Sequence, residues 1–440
     1  MNSKIAFLGL AGAMSLMFAS CSVEETDEIL KGEAISFNTR VSRATEVTQT
    51  SLTGFRVYAD ADGYSDMFIN GEWAKRVGDT NVFTLPTSYY WPQGVHNIRF
   101  WAYAPYDGPD ATPVLTPSFS VDQQGFGGYT PEKSMADAGK NHHDIVVAYN
   151  EVTQSAATGS SVELNFHHAL SQIEVKAILG EGARKGVKGT KDKVGTEGMI
   201  VYIKGAWIMN VAGTGHLDFD KDDVTTHIKW TKDNDDKGNY GRLSEKMELS
   251  AHGGTASGII VNGSDLTLPY SLMLIPQKLD KYEFAATGTP EKKGAYIKGA
   301  YILVLCRVET VHKDTKHDTS TTAATGGSII IGDDDKTHIH QMFPVSNVFN
   351  DAEFGYTCVP IDTEWLPGKK YVYTLQFCGT ESGAGVYPPE LPDMPVPDGV
   401  TVVPKPSDKN PGDPVLNNPL KFTVKVDEWS EAVQDVPKDM

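Results

Sequence analysis

The sequence predicts an all-β protein built of two domains, and three observations carry this prediction. The chain has 440 residues, which is more than one ordinary hydrophobic core accommodates. Its 42 glycines, 18 tyrosines and 17 phenylalanines are typical of strands joined by many turns. Short segments in which apolar and polar residues alternate recur along the chain, whereas no segment has the period of a long amphipathic helix.

The first predicted strand covers residues 35–41. Apolar and polar residues alternate there, so that Ile35, Phe37 and Val41 share one face of the strand. A polar run that begins at Ser42 ends it. The further strands predicted for the first half cover 55–59, 98–104, 144–148, 162–166 and 171–176.

The second half repeats this pattern after a Gly- and Lys-rich segment at 185–196, which is typical of a linker. Its predicted strands cover 199–204, 266–277, 299–308, 371–378 and 420–429. We therefore predict an N-terminal β-sandwich at residues 34–184 and a C-terminal β-sandwich at residues 197–440. Two long insertions are predicted in the second domain. One is a polar surface hairpin or loop at 310–337, and the other is a proline-rich loop at 379–419, whose composition excludes a central strand.

The first twenty residues predict export. Lys4 precedes an uncharged apolar run at 5–18, which is shorter than the ~20 residues that a membrane span needs. Ala19 and Ser20 lead into Cys21, an arrangement that resembles the lipobox of bacterial lipoproteins, in which the cysteine is acylated. We therefore predict a lipoprotein signal peptide at 1–20, lipidation of Cys21, which would anchor the chain to a membrane, and an acidic tether at 21–33. The alternative is an ordinary secreted protein in which Cys21 has no role.

Charge and cysteine content restrict the partners and the covalent cross-links. The 57 acidic and 39 basic residues give a net charge of −18, which argues against nucleic acid and anionic membrane surfaces as partners. The three cysteines after Cys21 permit at most one internal disulfide. Cys306 and Cys378 both end strand-like runs and are the candidates for pairing, although the pattern favours buried free thiols.

Catalytic and metal-binding signals are weak. The chain has no Gly-rich phosphate loop, no G-x-S-x-G turn and no H-E-x-x-H motif, so no catalytic residue, metal site or cofactor is predicted. The pairs at 142–143 and 167–168 are histidines, but neighbouring strand residues point to opposite faces, which favours packed histidines over metal ligands. The acidic runs at 218–222 and 333–335 are predicted to be solvated turns, since the first lacks the Gly and the bidentate Glu of a calcium loop.

Trp101 and Tyr103 are the most prominent aromatic candidates for ligand binding. They alternate with the apolar face of their strand and could stack on a sugar ring. Aromatic side chains also pack at domain junctions, and we favour packing for this pair. A glycosidase would in addition need two carboxylates across a cleft, which the sequence alone cannot place.

Several short motifs occur in a fixed order along the chain. They are FWAYAP at 100–105, DIVVA at 144–148, LNFHHALSQIEV at 164–175, LMLIPQ at 272–277, WLPGKKYVYTL at 365–375 and VDEW at 426–429. Together they resemble the fimbrillin-like surface lipoproteins of the Bacteroidales, the subunits of type V pili. The resemblance implies two transthyretin-like β-sandwiches in tandem, export as a lipoprotein and assembly by strand exchange. The acidic residues after Cys21 resemble the signal that directs such lipoproteins to the cell surface.

The resemblance also implies a processing site and an exchanged strand. An arginine-specific protease cuts members of this family near the first strand, and Arg43 in Ser-Arg-Ala-Thr is the matching position, with Arg40 close by. The cut would remove the first strand together with its inward residues Ile35, Phe37 and Val41. The candidate donor strand is the alternating run at 420–426, unless that run belongs to the chain's own core.

The predicted function is that of a surface-anchored fimbrial subunit or adhesin at the outer membrane, without enzymatic activity. Its expected partners are other fimbrial subunits, the outer membrane through the lipid, and host or bacterial surface ligands. The alternative is a lipid-anchored glycan-binding protein or glycoside hydrolase on a β-sandwich. The feature that discriminates between these two functions is an N-terminal strand followed by an arginine. Fimbrial assembly uses this strand and its cleavage site, whereas a hydrolase does not need them. The two insertions leave open whether the subunit is a stalk, tip or anchor.

Overall fold

The all-β prediction is confirmed. The computed structural model describes residues 34–41, 51–104, 115–153, 161–220, 227–261, 271–283, 299–313, 328–416 and 418–428. Within these ranges the regular structure is strand apart from a short 3-10 helix at Ala138–Asn141. In the same ranges no helix has the length and apolarity that crossing a membrane would require.

The strands are numbered in chain order. Those of the first half are Ser36–Val41 (β1), Gly54–Ala61 (β2), Ile69–Arg76 (β3), Val82–Thr84 (β4), Asn97–Ala104 (β5), Thr116–Phe119 (β6), Gln124–Tyr129 (β7), Val146–Thr153 (β8), Val162–His168 (β9) and Ser171–Leu179 (β10). Those that follow are Gly198–Ala212 (β11), Gly215–Phe219 (β12), Ile228–Lys232 (β13), Lys237–Glu248 (β14), Ser257–Ile260 (β15), Leu272–Leu274 (β16), Gln277–Lys278 (β17), Tyr301–His312 (β18), Ser328–Ile331 (β19), His338–Phe343 (β20), Glu353–Pro360 (β21), Glu364–Trp365 (β22), Lys369–Phe377 (β23), Thr401–Val402 (β24) and Lys421–Glu428 (β25).

Strands of the first half close into a barrel in the order β1-β4-β3-β2-β5-β8-β9. The alternation in β2 directs Phe55, Val57 and Ala59 into the barrel, where all three are fully buried. Strand β1 completes the barrel by pairing antiparallel with β4 and parallel with β9. The sheet predicted as a sandwich is therefore closed on itself through β1.

Two sheets pack face to face in the second half. One has the order β15-β10-β23-β25, with β16 also paired to β10, and the other has the order β14-β11-β18-β20-β19, with β21 paired to β18. Inward side chains from both sheets form one apolar core, which includes Val175, Ile203, Val304 and Tyr373. This part of the chain is a β-sandwich.

A smaller sheet, in the order β13-β12-β7-β6, combines two strands of each half. It covers one outer face of the barrel, where Trp101 and Tyr103 pack in one apolar cluster with Phe126 and Leu217. The barrel and the sandwich therefore share a buried aromatic junction.

The strand predicted at 171–176 belongs to a sheet of the second half of the chain. The segment 171–176 was assigned to the end of the first half, and this assignment is wrong, because β10 pairs in parallel with β23 and antiparallel with β15 and β16. Its residues Ile173, Val175 and Ala177 are fully buried in the core of the sandwich. The alternating pattern fixed which side chains point inward, but it did not identify the neighbouring strands.

The two predicted insertions occupy the edges of the sandwich. The first begins where β18 extends to His312 and returns through β19 and β20, which pair with each other; residues 314–327 lie outside the described ranges. The second separates β23 from the final strand, β25. Among its described residues the regular structure is the two-residue strand β24, which pairs with β21.

Candidate functional site

Strand β1 and its neighbours form the candidate assembly site. In register with β4, Phe37 lies opposite Phe83, and in register with β9, Val41 lies opposite Phe166. Backbone pairing with β4 covers Ser36–Asn38, and pairing with β9 covers Phe37–Val41. Because β4 has three residues, the antiparallel side of β1 is held over a short length.

Phe37 is the main apolar contact of this strand. Its side chain is fully buried, and its ring meets the rings of Phe55 and Phe100 nearly edge to face, each at a centroid distance of 5.8 Å. This geometry is favourable for aromatic pairs. Ile35, the other predicted inward residue with a described side chain, is partly buried against the same cluster.

Polar contacts fix the register of the strand at both ends. The backbone N–H of Ile35 donates to the Tyr89 carbonyl at 2.8 Å, and that of Thr39 donates to the Asn81 carbonyl at 3.2 Å. The Asn38 side-chain amide donates to Glu163 Oε1 at 2.7 Å across the β1–β9 pair. Strand β1 is thus held by one buried ring and by backbone and side-chain hydrogen bonds on both sides.

The predicted processing and lipidation residues differ in their placement. Arg40 is exposed and lies within β1, opposite Asn165 of β9. Arg43 and Cys21 lie outside the described residues, and the side chain of Val41 is not described either. Lipidation at Cys21 and cleavage at Arg43 or Arg40 therefore stay predictions.

The candidate donor strand β25 forms an edge of the sandwich. It pairs along its whole length with β23 and has one described neighbour. Leu420 is buried, Phe422 and Val424 are partly buried against the core, and Val426 is 52% exposed. The alternating run therefore lies against the chain's own core in this structure, with its last apolar residue largely free of it.

One histidine of each pair, His142 and His168, is buried. His142 is buried, its Nδ1 accepts the Met273 N–H at 3.0 Å, and its Nε2 lies 3.0 Å from the Glu132 carbonyl, to which it donates. Burial lowers the pKa of His142 to about 4, so the ring is neutral at ordinary pH. His168 pairs with Asp144 at 2.9 Å inside the junction. In the described part of the chain no three His, Cys, Asp or Glu side chains are arranged as metal ligands.

The described residues of the two acidic runs lie in a strand and in a hydrogen-bonded turn. Asp218 lies within strand β12, in register with Lys229 of β13, and Asp222 is outside the described residues. Asp334 accepts hydrogen bonds from the backbone of Gly195 and Thr337 and from the Thr337 hydroxyl. These donors lower the pKa of Asp334, the Gly195 N–H most of all. The run at 333–335 thus forms a turn that fastens the segment containing Gly195.

The aromatic pair and the cysteines are parts of cores. Trp101 is 3% exposed and Tyr103 is fully buried, so neither presents a face to a sugar, and the preference for packing is confirmed. Cys306 and Cys358 are buried and Cys378 is half-buried, and the three are free thiols in this structure. Burial raises the pKa of all three, which makes them poor nucleophiles.

Sequence reasoning missed a buried charged pair in β18. Arg307 and Glu309 are both fully buried, with Arg307 Nε 2.6 Å from Glu309 Oε1, and Lys188 Nζ lies 2.8 Å from Glu309 Oε2. The Arg307 guanidinium lies over the ring of Phe349 at 4.7 Å. Two charged residues at alternate positions of a mostly apolar strand were the signal that could have revealed this pair.

Matches to several solved structures extend over most of the chain. One, from Parabacteroides distasonis, carries the description "putative cell adhesion protein"; it is 11% identical with a TM-score of 0.43, and the match covers 92% of this chain and 99% of that one. Another so described, from Bacteroides ovatus, is 12% identical with a TM-score of 0.37, and the match covers 90% and 98%. The tip fimbrial protein Mfa3 of Porphyromonas gingivalis, truncated at its C-terminus, is 7% identical with a TM-score of 0.31, and the match covers 90% and 100%.

The sequence comparisons gave one family. No curated protein matches the chain. A family model described as fimbrillin-like matches residues 39–386, which include most of the barrel and most of the sandwich. The resemblance found in the short motifs is thereby confirmed, and the chain belongs to the fimbrillin-like family.

Proposed function

We propose that this protein is a surface-anchored fimbrial subunit or adhesin that is exported as a lipoprotein and assembles by strand exchange. The observation that carries the proposal is the position of β1. This first described strand completes the barrel, pairs on both sides, and inserts Phe37 into the barrel core.

Removal of β1 would leave a groove that another strand can fill. The groove would expose the backbone edges of β4 and β9 and the apolar pocket that Phe37 occupies. Unpaired strand edges attract a further strand through backbone hydrogen bonds, and the pocket selects an apolar side chain. Each large side chain buried there contributes about 1.5–3 kcal/mol.

The donor strand in this proposal is β25 of another subunit. It lies at an edge of its sheet, so its release breaks pairing with β23 alone. Every second position of β25 is apolar, so these side chains share one face of the strand and could all point into an apolar groove. They are Leu420, Phe422, Val424 and Val426.

Cleavage at Arg43 is the proposed trigger, with Arg40 as the secondary site. Arg43 follows the end of β1, so a cut there releases the complete strand, whereas a cut at Arg40 separates Val41 from it. Digestion with trypsin, read by mass spectrometry, is expected to remove residues through Arg43 from the wild type. Arg43→Ala is expected to stop this cut, while Arg40→Ala is expected to leave it.

Polymerisation after the cut tests strand exchange directly. Val426→Asp places a charge at a position that is half-exposed in the monomer and would be buried in the groove, so the monomer should fold and polymerisation should stop. Thr423→Asp, on the exposed face of β25, is the matched control. Laddered oligomers from wild type and Thr423→Asp but not from Val426→Asp are expected. Equal ladders from all three would contradict β25 as the donor.

The anchor is proposed to be lipid on Cys21 in the outer membrane. Metabolic labelling with a fatty-acid probe is expected to mark the wild type and not Cys21→Ser. Equal labelling of both would show that Cys21 has no role in anchoring. Other fimbrial subunits are the proposed partners, and host or bacterial surface ligands are the proposed targets of an adhesin.

We propose no catalytic activity for the chain. The rival function, a glycan-binding protein or glycoside hydrolase, needed an exposed aromatic face, and Trp101 and Tyr103 are instead part of the junction core. The test is hydrolysis of glycans by the purified protein. A turnover on the order of 10 per second that is lost when one acidic residue is replaced would overturn this part of the proposal.

A further inference from the structure

A polar cleft lies at the end of the sandwich where β11 begins and β18 ends. Its volume is about 430 Å³. Three of the residues that line it are cationic and one is acidic; the lining residues are Arg184, Lys185, Thr196, Glu197 and Lys313. The chain as a whole has a net charge of −18, so most of its surface repels anions. A local excess of cations is therefore a place where an anionic ligand can bind.

Backbone contacts fix the walls of this cleft. The Met199 N–H donates to the Arg184 carbonyl at 2.8 Å, and the Gly186 N–H donates to the Met199 carbonyl at 2.8 Å. The segment that follows β10 thus runs along the start of β11. Gly198 permits this close approach, because its φ is +150° and a Cβ there would lie 2.5 Å from the Arg184 carbonyl oxygen. The cleft is therefore part of the fold.

Two of the three cations are available to a ligand. Lys185 Nζ lies 3.0 Å from Glu248 Oε1, so this cation is already paired. Arg184 and Lys313 are exposed, and within the described part of the chain neither side chain makes an ion pair. A planar guanidinium donates two parallel hydrogen bonds to a carboxylate. The cleft therefore has the charge and the donors that a carboxylate needs.

The acceptors of the cleft favour a ligand that carries hydroxyl groups as well as negative charge. Glu197 Oε1 accepts the Lys313 N–H at 2.8 Å, and the other carboxylate oxygen can accept a hydroxyl proton. The Thr196 hydroxyl can donate or accept. A bare phosphate or sulfate would be repelled by Glu197, whereas an acidic sugar has hydroxyls to donate to it and a carboxylate for Arg184.

We propose that this cleft binds one acidic sugar unit of a surface glycan. Arg184 holds the sugar carboxylate with Lys313 as the second cation, and Glu197 and Thr196 bind its hydroxyl groups. The volume lies within the range of small-ligand sites, about 300–1,000 Å³. The inference rests on the adhesin role proposed above and names the class of its ligand. Binding uses charge and hydrogen bonds instead of an aromatic face, and it uses no residue of β1 or β25.

Calorimetric titration of the purified, uncut chain tests the proposal. The acidic probes are a hyaluronan tetrasaccharide, tetragalacturonic acid and sialyllactose, and each is compared with its neutral, carboxyl-reduced form. At least one acidic probe is expected to bind at one site per chain. Its carboxyl-reduced form is expected to bind roughly ten-fold or more weakly, because the charged hydrogen bonds are lost. Rising salt concentration is expected to weaken binding of the acidic probe.

Substitutions in the cleft identify the site. Arg184→Gln and Lys313→Gln are each expected to weaken binding of the acidic probe by roughly ten-fold or more, since each removes a charged partner. Arg184→Lys keeps the charge but loses the bidentate geometry, so its affinity is expected to fall between those of the wild type and Arg184→Gln. The matched control is Lys191→Gln, which removes a positive charge from an exposed turn of the same segment outside the cleft and is expected to leave the affinity nearly unchanged.

Circular dichroism checks that each variant folds. The proposal would be overturned if no acidic probe bound at millimolar concentration, or if the acidic and carboxyl-reduced forms bound equally. A loss for Lys191→Gln as large as that for Arg184→Gln would overturn it too, because binding would then follow the general charge of the segment. Polymerisation of the trypsin-cut wild type is measured separately, so a failure of sugar binding and a failure of strand exchange are distinguishable.

Discussion

Phe37→Ala should destabilise the barrel far more than any change on the exposed face of β1. The side chain is fully buried and touches two aromatic rings at 5.8 Å. Truncation of a buried Phe to Ala costs about 3–5 kcal/mol, which includes the cavity that remains. Since a folded domain is stable by only about 5–15 kcal/mol, this loss is a large fraction of the total.

Denaturant unfolding followed by tryptophan fluorescence measures this effect, because Trp73, Trp91 and Trp101 all belong to the first half. Arg40→Ala is the matched control on the same strand; Arg40 is exposed, so its replacement should change stability by less than about 0.5 kcal/mol. Hydrogen exchange should also quicken in peptides from β1, β4 and β9, but not in those from β23. Equal unfolding midpoints for the two variants would refute the idea that Phe37 holds the strand in the barrel.

Three further predictions concern buried groups. Burial lowers the pKa of His142 from 6.5 to about 4, so between these pH values the unfolded chain binds more protons than the folded chain. The free energy of unfolding should therefore fall by about 3 kcal/mol as the pH drops from 6.5 to 4. In denaturant titrations, His142→Gln should remove most of this pH dependence. Arg307→Met should lower stability in thermal unfolding by up to about 3–5 kcal/mol, because it removes one of the two cations paired with the buried Glu309 carboxylate and leaves only Lys188. Adding Glu309→Leu should recover part of the loss. Trp101→Ala should lower stability by about 3–5 kcal/mol and leave glycan-array binding unchanged, whereas selective loss of glycan binding at unchanged stability would favour a sugar platform.

The sequence predicted the local features of the fold well. Alternation in 35–41 placed Phe37 on the inward face, and the structure buries it completely. The preference for packing at Trp101 followed from the tendency of aromatic side chains to pack at domain junctions. The proline-rich composition of 379–419 likewise matched a segment with little regular structure before β25. These features depend on neighbouring residues, which a single sequence displays.

The features that the sequence did not predict depend on residues far apart in the chain. The parallel pairing of β10 with β23 joins Ile173 to Tyr371, and no local pattern specifies such a partner. Closure of the barrel through β1 also depends on distant residues, because β1 pairs with β9, which lies near the other end of the first half of the chain. His312 of β18 and His338 of β20 likewise lie opposite each other only through strand register.

The first and last strands differ in a way that orders the proposed assembly. Strand β25 has one described neighbour and leaves by breaking a single ladder, whereas β1 must break two ladders and withdraw Phe37 from the core. In the uncut chain the short segment 42–53 also tethers β1 to β2, so β1 rebinds its own groove at a high effective concentration. Proteolysis rather than subunit concentration should therefore decide when the groove opens. Under the proposed function, an uncut subunit can donate a strand but cannot accept one, which places it at an end of the filament, where the lipid on Cys21 would hold it to the membrane.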